Sequence, residues 1–130
     1  MNLQITGGQS DRLEILGQLL DDKDEWNVSI VHLEGLGEDK LKANFGNSDV
    51  IIADLAYVSG PAPNFIRKIK TLFPDSKLIG LHFYRNPKLI APLIEAGLEG
   101  YVHSNARKSI LFEAIEDVSN NKQFILERKR

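Results

Sequence analysis

Among the groups in this chain able to bind a metal or move a proton are three histidines, His32, His82 and His103, and eighteen acidic side chains. Their spacing argues against most such chemistry. No two histidines stand at an HxxxH-type interval, and the absence of cysteine removes thiolate metal sites and disulfides. His82 lacks a nucleophile and a partner histidine or cysteine in sequence, so it reads as a packing and hydrogen-bonding residue. Gly7-Gly8 precedes a helical pattern, where glycine lets backbone amides approach an anion. The local sequence is neither GxGxxG nor GxxxxGK[ST], which favours a plain strand-to-helix turn. Asp54 is a carboxylate that closes the apolar run Val50-Ile51-Ile52-Ala53. No cofactor, metal site or enzymatic activity is expected.

The elements that must position these groups follow from periodicity. Short apolar runs alternate with helical patterns, which predicts βαβ units and a parallel sheet. The strands are expected at Leu3 to Thr6, Val28 to Leu33, Val50 to Leu55, Leu78 to His82 and Gly100 to His103. Ser10 is placed to cap a first helix with the stripe Leu13, Leu16, Leu19 and Leu20. A second helix spans about Glu38 to Phe45, and Pro63 opens a third with the stripe Phe65, Ile66, Ile69, Leu72 and Phe73. Asn86-Pro87 starts a fourth with Leu89, Ile90, Leu93 and Ile94, which Gly97 ends and Pro92 should bend. A fifth begins near Asn105 with Ile110, Leu111, Ala114, Ile115 and Val118. These stripes are read as core.

A chain of 130 residues with 42% hydrophobic content suits one domain with a sizeable core. The net charge of -2 gives no broad field for nucleic acid or an anionic membrane. No signal-peptide pattern and no apolar run near the roughly 18 residues of a membrane span is present, so a cytoplasmic location is expected.

Three segments resemble the receiver domains of bacterial response regulators, in particular the NarL/FixJ branch. Asp49-Val-Ile-Ile-Ala-Asp54-Leu resembles the third strand with its phosphoacceptor aspartate. Asn86-Pro-Lys-Leu-Ile and Glu95-Ala-Gly-Leu-Glu-Gly-Tyr101 resemble the fourth helix and fifth strand. The resemblance implies a three-layer, flavodoxin-like (βα)5 fold with a parallel five-stranded sheet in the order 2-1-3-4-5. It covers residues 1–120, leaving 121–130, ending Glu127-Arg128-Lys129-Arg130, as a basic tail or linker.

Matched position by position, the site implied by the resemblance is degenerate. Gly7 and Gly8 stand where receivers carry an acidic pair, His82 replaces a threonine or serine, and Ser104 replaces a lysine. Asp54, as the phosphoacceptor equivalent, and Tyr101, as the switch aromatic, remain. The loop Val58 to Pro63 is one residue longer than usual. Mg²⁺, which normally bridges phosphate and carboxylate, would find Asp54 as its one evident ligand. Three roles stay open for Asp54: a solvated remnant, a structural hydrogen bond to His82 or Ser104, or phosphorylation. Aspartates at 7 and 8 with lysine at 104 are expected to restore Mg²⁺ binding.

The expected function is an atypical receiver in signal transduction or transcription regulation, acting by protein contact with phosphorylation lost or impaired. A homodimer through the fourth and fifth helices is expected, with a sensor kinase or other protein as partner and room for a C-terminal DNA-binding domain. Neither nucleic acid nor membrane is expected to bind this domain. The alternatives are a conventional phosphoreceiver at Asp54, with Asp11 or Glu14 as substitute metal ligand, and a small-molecule binder that places Gly7, Gly8, His82 and Ser104 around an anion.

Overall fold

The uninterrupted apolar run Val50 to Ala53 places β3 (Val50–Asp54) inside the sheet with all of its residues buried, since a strand covered by helices on both faces has no polar side to present. The computed structural model describes residues 1–32 and 37–125. The other strands are β1 (Asn2–Gly7), β2 (Asn27–Ile30), β4 (Lys77–His82), β5 (Gly100–His103) and β6 (Phe124–Ile125). Between them run α1 (Ser10–Leu20), α2 (Glu38–Phe45), α3 (Ala62–Leu72), α4 (Pro87–Ala96) and α5 (Lys108–Ser119). All strand pairs are parallel, in the order β2-β1-β3-β4-β5-β6.

Alternation along the strands sorts side chains into two core layers. Ile51 and Ala53 face Ile66 and Ile69 of α3 and Leu93 of α4. Leu3, Ile5 and Ile52 face Leu13 of α1 and Leu111 and Ile115 of α5. Register then brings the carboxyl ends of four strands level: Gly7 lies opposite Asp54, Asp54 opposite Leu81, and His82 opposite His103.

The architecture is the expected flavodoxin-like α/β sandwich, with a sixth strand added. Asn121, at a φ of 64°, turns the chain after α5 and returns Phe124 beside Gly100. Left-handed backbone is tolerated by asparagine better than by most residues, which makes this reversal accessible. The sixth strand therefore begins within the segment expected to be a tail, while Glu127–Arg130 lie outside the described residues. β2 is shorter than expected, and Leu33, placed at its end from sequence, also lies outside them.

The helix starts match the expected signals unevenly. Asn86 caps α4, its side chain accepting from the Lys88 N–H at 2.9 Å. Ser10 is instead the first residue of α1, and the capping position falls on Gln9, which makes no side-chain cap bond. α5 begins at Lys108 rather than near Asn105. α4 runs on through Pro92, although that residue has no N–H for the Lys88 carbonyl. Leu89, assigned to the core stripe, is 50% exposed, whereas Leu93 is buried.

That last contrast gives a direct check on the packing. Leu93→Ala should lower the unfolding free energy by about 2–5 kcal/mol, the range for a truncated core leucine. Leu89→Ala should cost under about 1 kcal/mol. Urea denaturation of the two variants measures the difference, and equal losses would contradict the burial pattern.

Candidate functional site

A carboxylate sealed inside a protein needs a cationic or hydrogen-bonding partner, because desolvation otherwise costs several kcal/mol. Asp54, the last residue of β3, has no solvent exposure. Its partner is Arg12, from the first turn of α1. The guanidinium grips the carboxylate with two donors: Nε donates to Oδ2, and Nη2 to Oδ1 at 3.1 Å. The Ala56 N–H also donates to Oδ1 at 3.3 Å. The fork of a guanidinium matches a carboxylate in this way, whereas a lysine offers only a point charge. The hydrogen bond to Asp54 raises the Arg12 pKa above its ordinary value, against an opposing effect of burial, with charge attraction to the same carboxylate adding to the rise.

Two aromatic rings flank the outer side of this pair. The Arg12 guanidinium carbon lies 5.4 Å from the Tyr57 ring centroid and 6.0 Å from that of Phe83, within cation–π range. The two rings meet edge to face at 6.3 Å. Tyr57 reaches this position from a backbone φ of 65°, an uncommon and costly conformation for a residue with a β-carbon. The turn also presses the Tyr57 carbonyl against Gly8, where an added β-carbon would sit 2.1 Å from that oxygen. At Gly7, a β-carbon would approach the Asp54 β-carbon and carbonyl oxygen to 2.9 Å. Glycine is thus required at position 7 by the end of β3 and at position 8 by the β3–α3 loop. The expectation that aspartates at 7 and 8 would restore a Mg²⁺ site is corrected by these contacts, since neither fits without moving backbone.

On the other side of the pair lie the ends of β4 and β5. His82 stacks on Tyr84 with ring centroids 4.1 Å apart, and its Nδ1 accepts the Phe83 N–H at 2.8 Å. Burial lowers the His82 pKa, partly offset by attraction to Asp54. Tyr101 is fully buried and donates its hydroxyl to the Tyr84 carbonyl at 2.8 Å, and burial pushes its pKa up to about 12. The N–H of Ser104 donates to the His82 carbonyl at 2.9 Å, while its buried Oγ has no partner among the described residues. His103 accepts the Asn105 N–H on Nδ1 at 3.1 Å. Its proton therefore sits on Nε2, which donates to the Phe83 carbonyl at 3.0 Å.

The carboxyl ends of the strands thus gather Gly7, Gly8, Asp54, His82, Ser104 and Tyr101 in one region, but not into one pocket. Gly7 and Gly8 border a cleft on the α3 side of the sheet, whose lining residues include neither His82 nor Ser104. Asp54 makes no hydrogen bond to His82 or Ser104; its side-chain partners are Arg12 and the Ala56 N–H.

No protein-family profile and no curated protein sequence matches this chain. Solved structures do. A LuxR-family two-component response regulator from Aurantimonas sp. SI85-9A1 superposes with a TM-score of 0.77 at 17% identity, over 95% of this chain and 87% of that one. The isolated REC domain of RcsB from Salmonella enterica serovar Typhimurium gives 0.77 at 24% identity, over 96% and 92%. A pilus assembly-related protein from Burkholderia pseudomallei K96243 gives 0.76 at 15% identity, over 94% and 91%. The fold is that of a response-regulator receiver domain.

A receiver's Mg²⁺ requires an octahedral shell of oxygen ligands. The residues present do not fit it. Positions 7 and 8 supply no side-chain oxygen, and the Asp54 oxygens already face a guanidinium. Among the described residues no three histidine, cysteine, aspartate or glutamate side chains are grouped so as to hold a metal ion. Sequence reasoning missed Arg12. One local signal was available: a cation in the first turn of a helix opposes the helix dipole, and such a misfit points to an anion elsewhere in the fold.

The lowered His82 pKa carries a pH dependence of fixed sign. The unfolded chain takes up a proton near the ordinary value of 6.5, while the folded state resists it. The contribution is fully present above 6.5 and is lost as pH falls toward the folded pKa. Unfolding free energy should therefore decline between about pH 7.5 and 5.5, and His82→Gln should flatten that slope. Denaturant melts across this range test it; an unchanged slope in the variant would contradict the assignment.

Proposed function

We propose that this chain is a receiver-type signalling module in which Arg12 occupies the charge-neutralising place of a metal ion. Asp54 is then held out of Mg²⁺-dependent phosphoryl transfer. One observation carries this reading: the two-donor bond from Arg12 to a carboxylate with no solvent exposure. Phosphoryl transfer to a carboxylate brings two anions together and depends on a cation that contacts both. Arg12 satisfies the carboxylate, but it blocks the approach of metal and phosphoryl donor alike. With Ser104 in place of a lysine, no second cation is supplied from the end of β5.

Such a module is not an enzyme and works by protein contact in the cytoplasm. Among the described residues no helix is long and apolar enough to cross a membrane. Self-association through the α4 and α5 faces belongs to the same reading and rests on the resemblance to receiver domains. A sensor kinase or another protein is the upstream partner, and a DNA-binding domain after residue 130 is the downstream one. RcsB, of which the present chain spans 67% in a promoter-bound structure, combines a receiver with DNA recognition and supports that arrangement.

Incubation with acetyl phosphate and millimolar Mg²⁺ tests the reading by intact-mass analysis. The wild-type chain should gain no phosphoryl group under conditions that label a conventional receiver. A substantial singly phosphorylated population, abolished by Asp54→Asn, would overturn it in favour of a conventional phosphoreceiver.

A further inference from the structure

The cleft on the α3 side of the sheet has a volume of about 380 Å³. That lies within the range of small-molecule sites, roughly 300–1,000 Å³. It opens between β1 and β3, where the strand order reverses direction, and open α/β sheets place ligands at such switch points beyond the carboxyl ends of their strands. Its polar lining comes from separate elements: Ser10 at the start of α1, His32 after β2, Ser59 in the β3–α3 loop, and Asn64 and Lys68 on α3.

The chemistry of these groups is one-sided. Each can donate a hydrogen bond, and no carboxylate is among the described residues lining the cleft. Lys68 forms no ion pair with another described residue. Asn64 Oδ1 is taken up by Arg67 at 3.0 Å, leaving the amide N–H₂ to donate. Next to Gly7 in β1, Thr6 is completely buried on the face of the strand that points toward α3, and its Oγ1 has no partner among the described residues. Val58 and Phe65 add an apolar wall. The nearby carboxylate of Asp54 does not repel an anion, since Arg12 neutralises it.

We propose that this cleft binds a small organic phosphate, with the phosphate against Lys68 and the hydroxyl and amide donors, and the organic part against Val58 and Phe65. Three strong acceptor oxygens on one group match several converging donors. Binding is independent of whether Asp54 accepts a phosphoryl group, because no polar side chain of the cleft bonds to Asp54.

Phenyl phosphate and inorganic phosphate are the probes, titrated into the full chain and followed by backbone amide NMR. Saturable shifts are expected at Gly7, Gly8, Ser10 and Ser59, at lower concentration for phenyl phosphate than for inorganic phosphate. Lys68→Ala should weaken binding about tenfold, equivalent to 1.4 kcal/mol. Lys88→Ala, on the exposed start of α4, should leave it unchanged. Three outcomes would overturn the assignment: no saturable shift, equal affinity in Lys68→Ala, or shifts centred on Arg12, Tyr57 and Phe83. The last would place the anion on the Arg12–Asp54 pair. Failure here is distinguishable from failure of the signalling reading, because phosphorylation is read at Asp54 by mass and cleft binding by amide shifts.

Discussion

A negative charge buried at the end of a central strand must be answered, and in this molecule the answer is the Arg12 guanidinium. The cost of desolvating a lone carboxylate exceeds what surrounding packing returns, so the fold can hold Asp54 only with a cation against it. A metal ion or an arginine can meet this demand, but they differ in consequence. A metal is exchangeable and can share its coordination with an incoming phosphate. An arginine is part of the chain and stays.

That choice organises the neighbouring loops. Arg12 approaches from α1 across the end of β1, so the β1–α1 turn must pass close to β3, and Gly7 and Gly8 leave space for it. Tyr57 accepts a left-handed backbone and lays its ring near the guanidinium, with Phe83 beside it. The pair is covered rather than sealed: the Arg12 side chain keeps 31% of its surface exposed while the carboxylate keeps none. Solvent therefore relieves the cation and not the anion. Losing Arg12 should be far more damaging than losing the Asp54 charge, since a freed guanidinium can turn to water and a freed carboxylate cannot.

Much of the frame was legible because it rests on period. Val50 to Ala53 has no polar alternation and is a doubly covered strand; Asn86-Pro87 is a cap followed by a first-turn proline, and α4 starts there. The position of Asp54 at a strand end followed from the same run. What failed depends on contacts between distant segments or on stretches too short to carry a period. Phe124–Ile125 is two residues long, and its pairing with β5 depends on the turn at Asn121. Arg12 looks like a surface residue of an amphipathic helix, and only the crossing of α1 over the end of β3 gives it a partner. The glycines at 7 and 8 look like lost ligands in the sequence, whereas the close approach of Asp54 requires the first and the Tyr57 carbonyl the second.

The central claim is that Arg12 and Asp54 form one energetic unit, and a double-mutant cycle measures it most directly. Unfolding free energies of wild type, Arg12→Ala, Asp54→Asn and the double variant supply the four corners. Arg12→Ala should cost about 3–5 kcal/mol, clearly more than Asp54→Asn, and the double variant should recover much of that loss. Single-variant costs that add to within about 0.5 kcal/mol would show the two residues to be independent and would contradict the account.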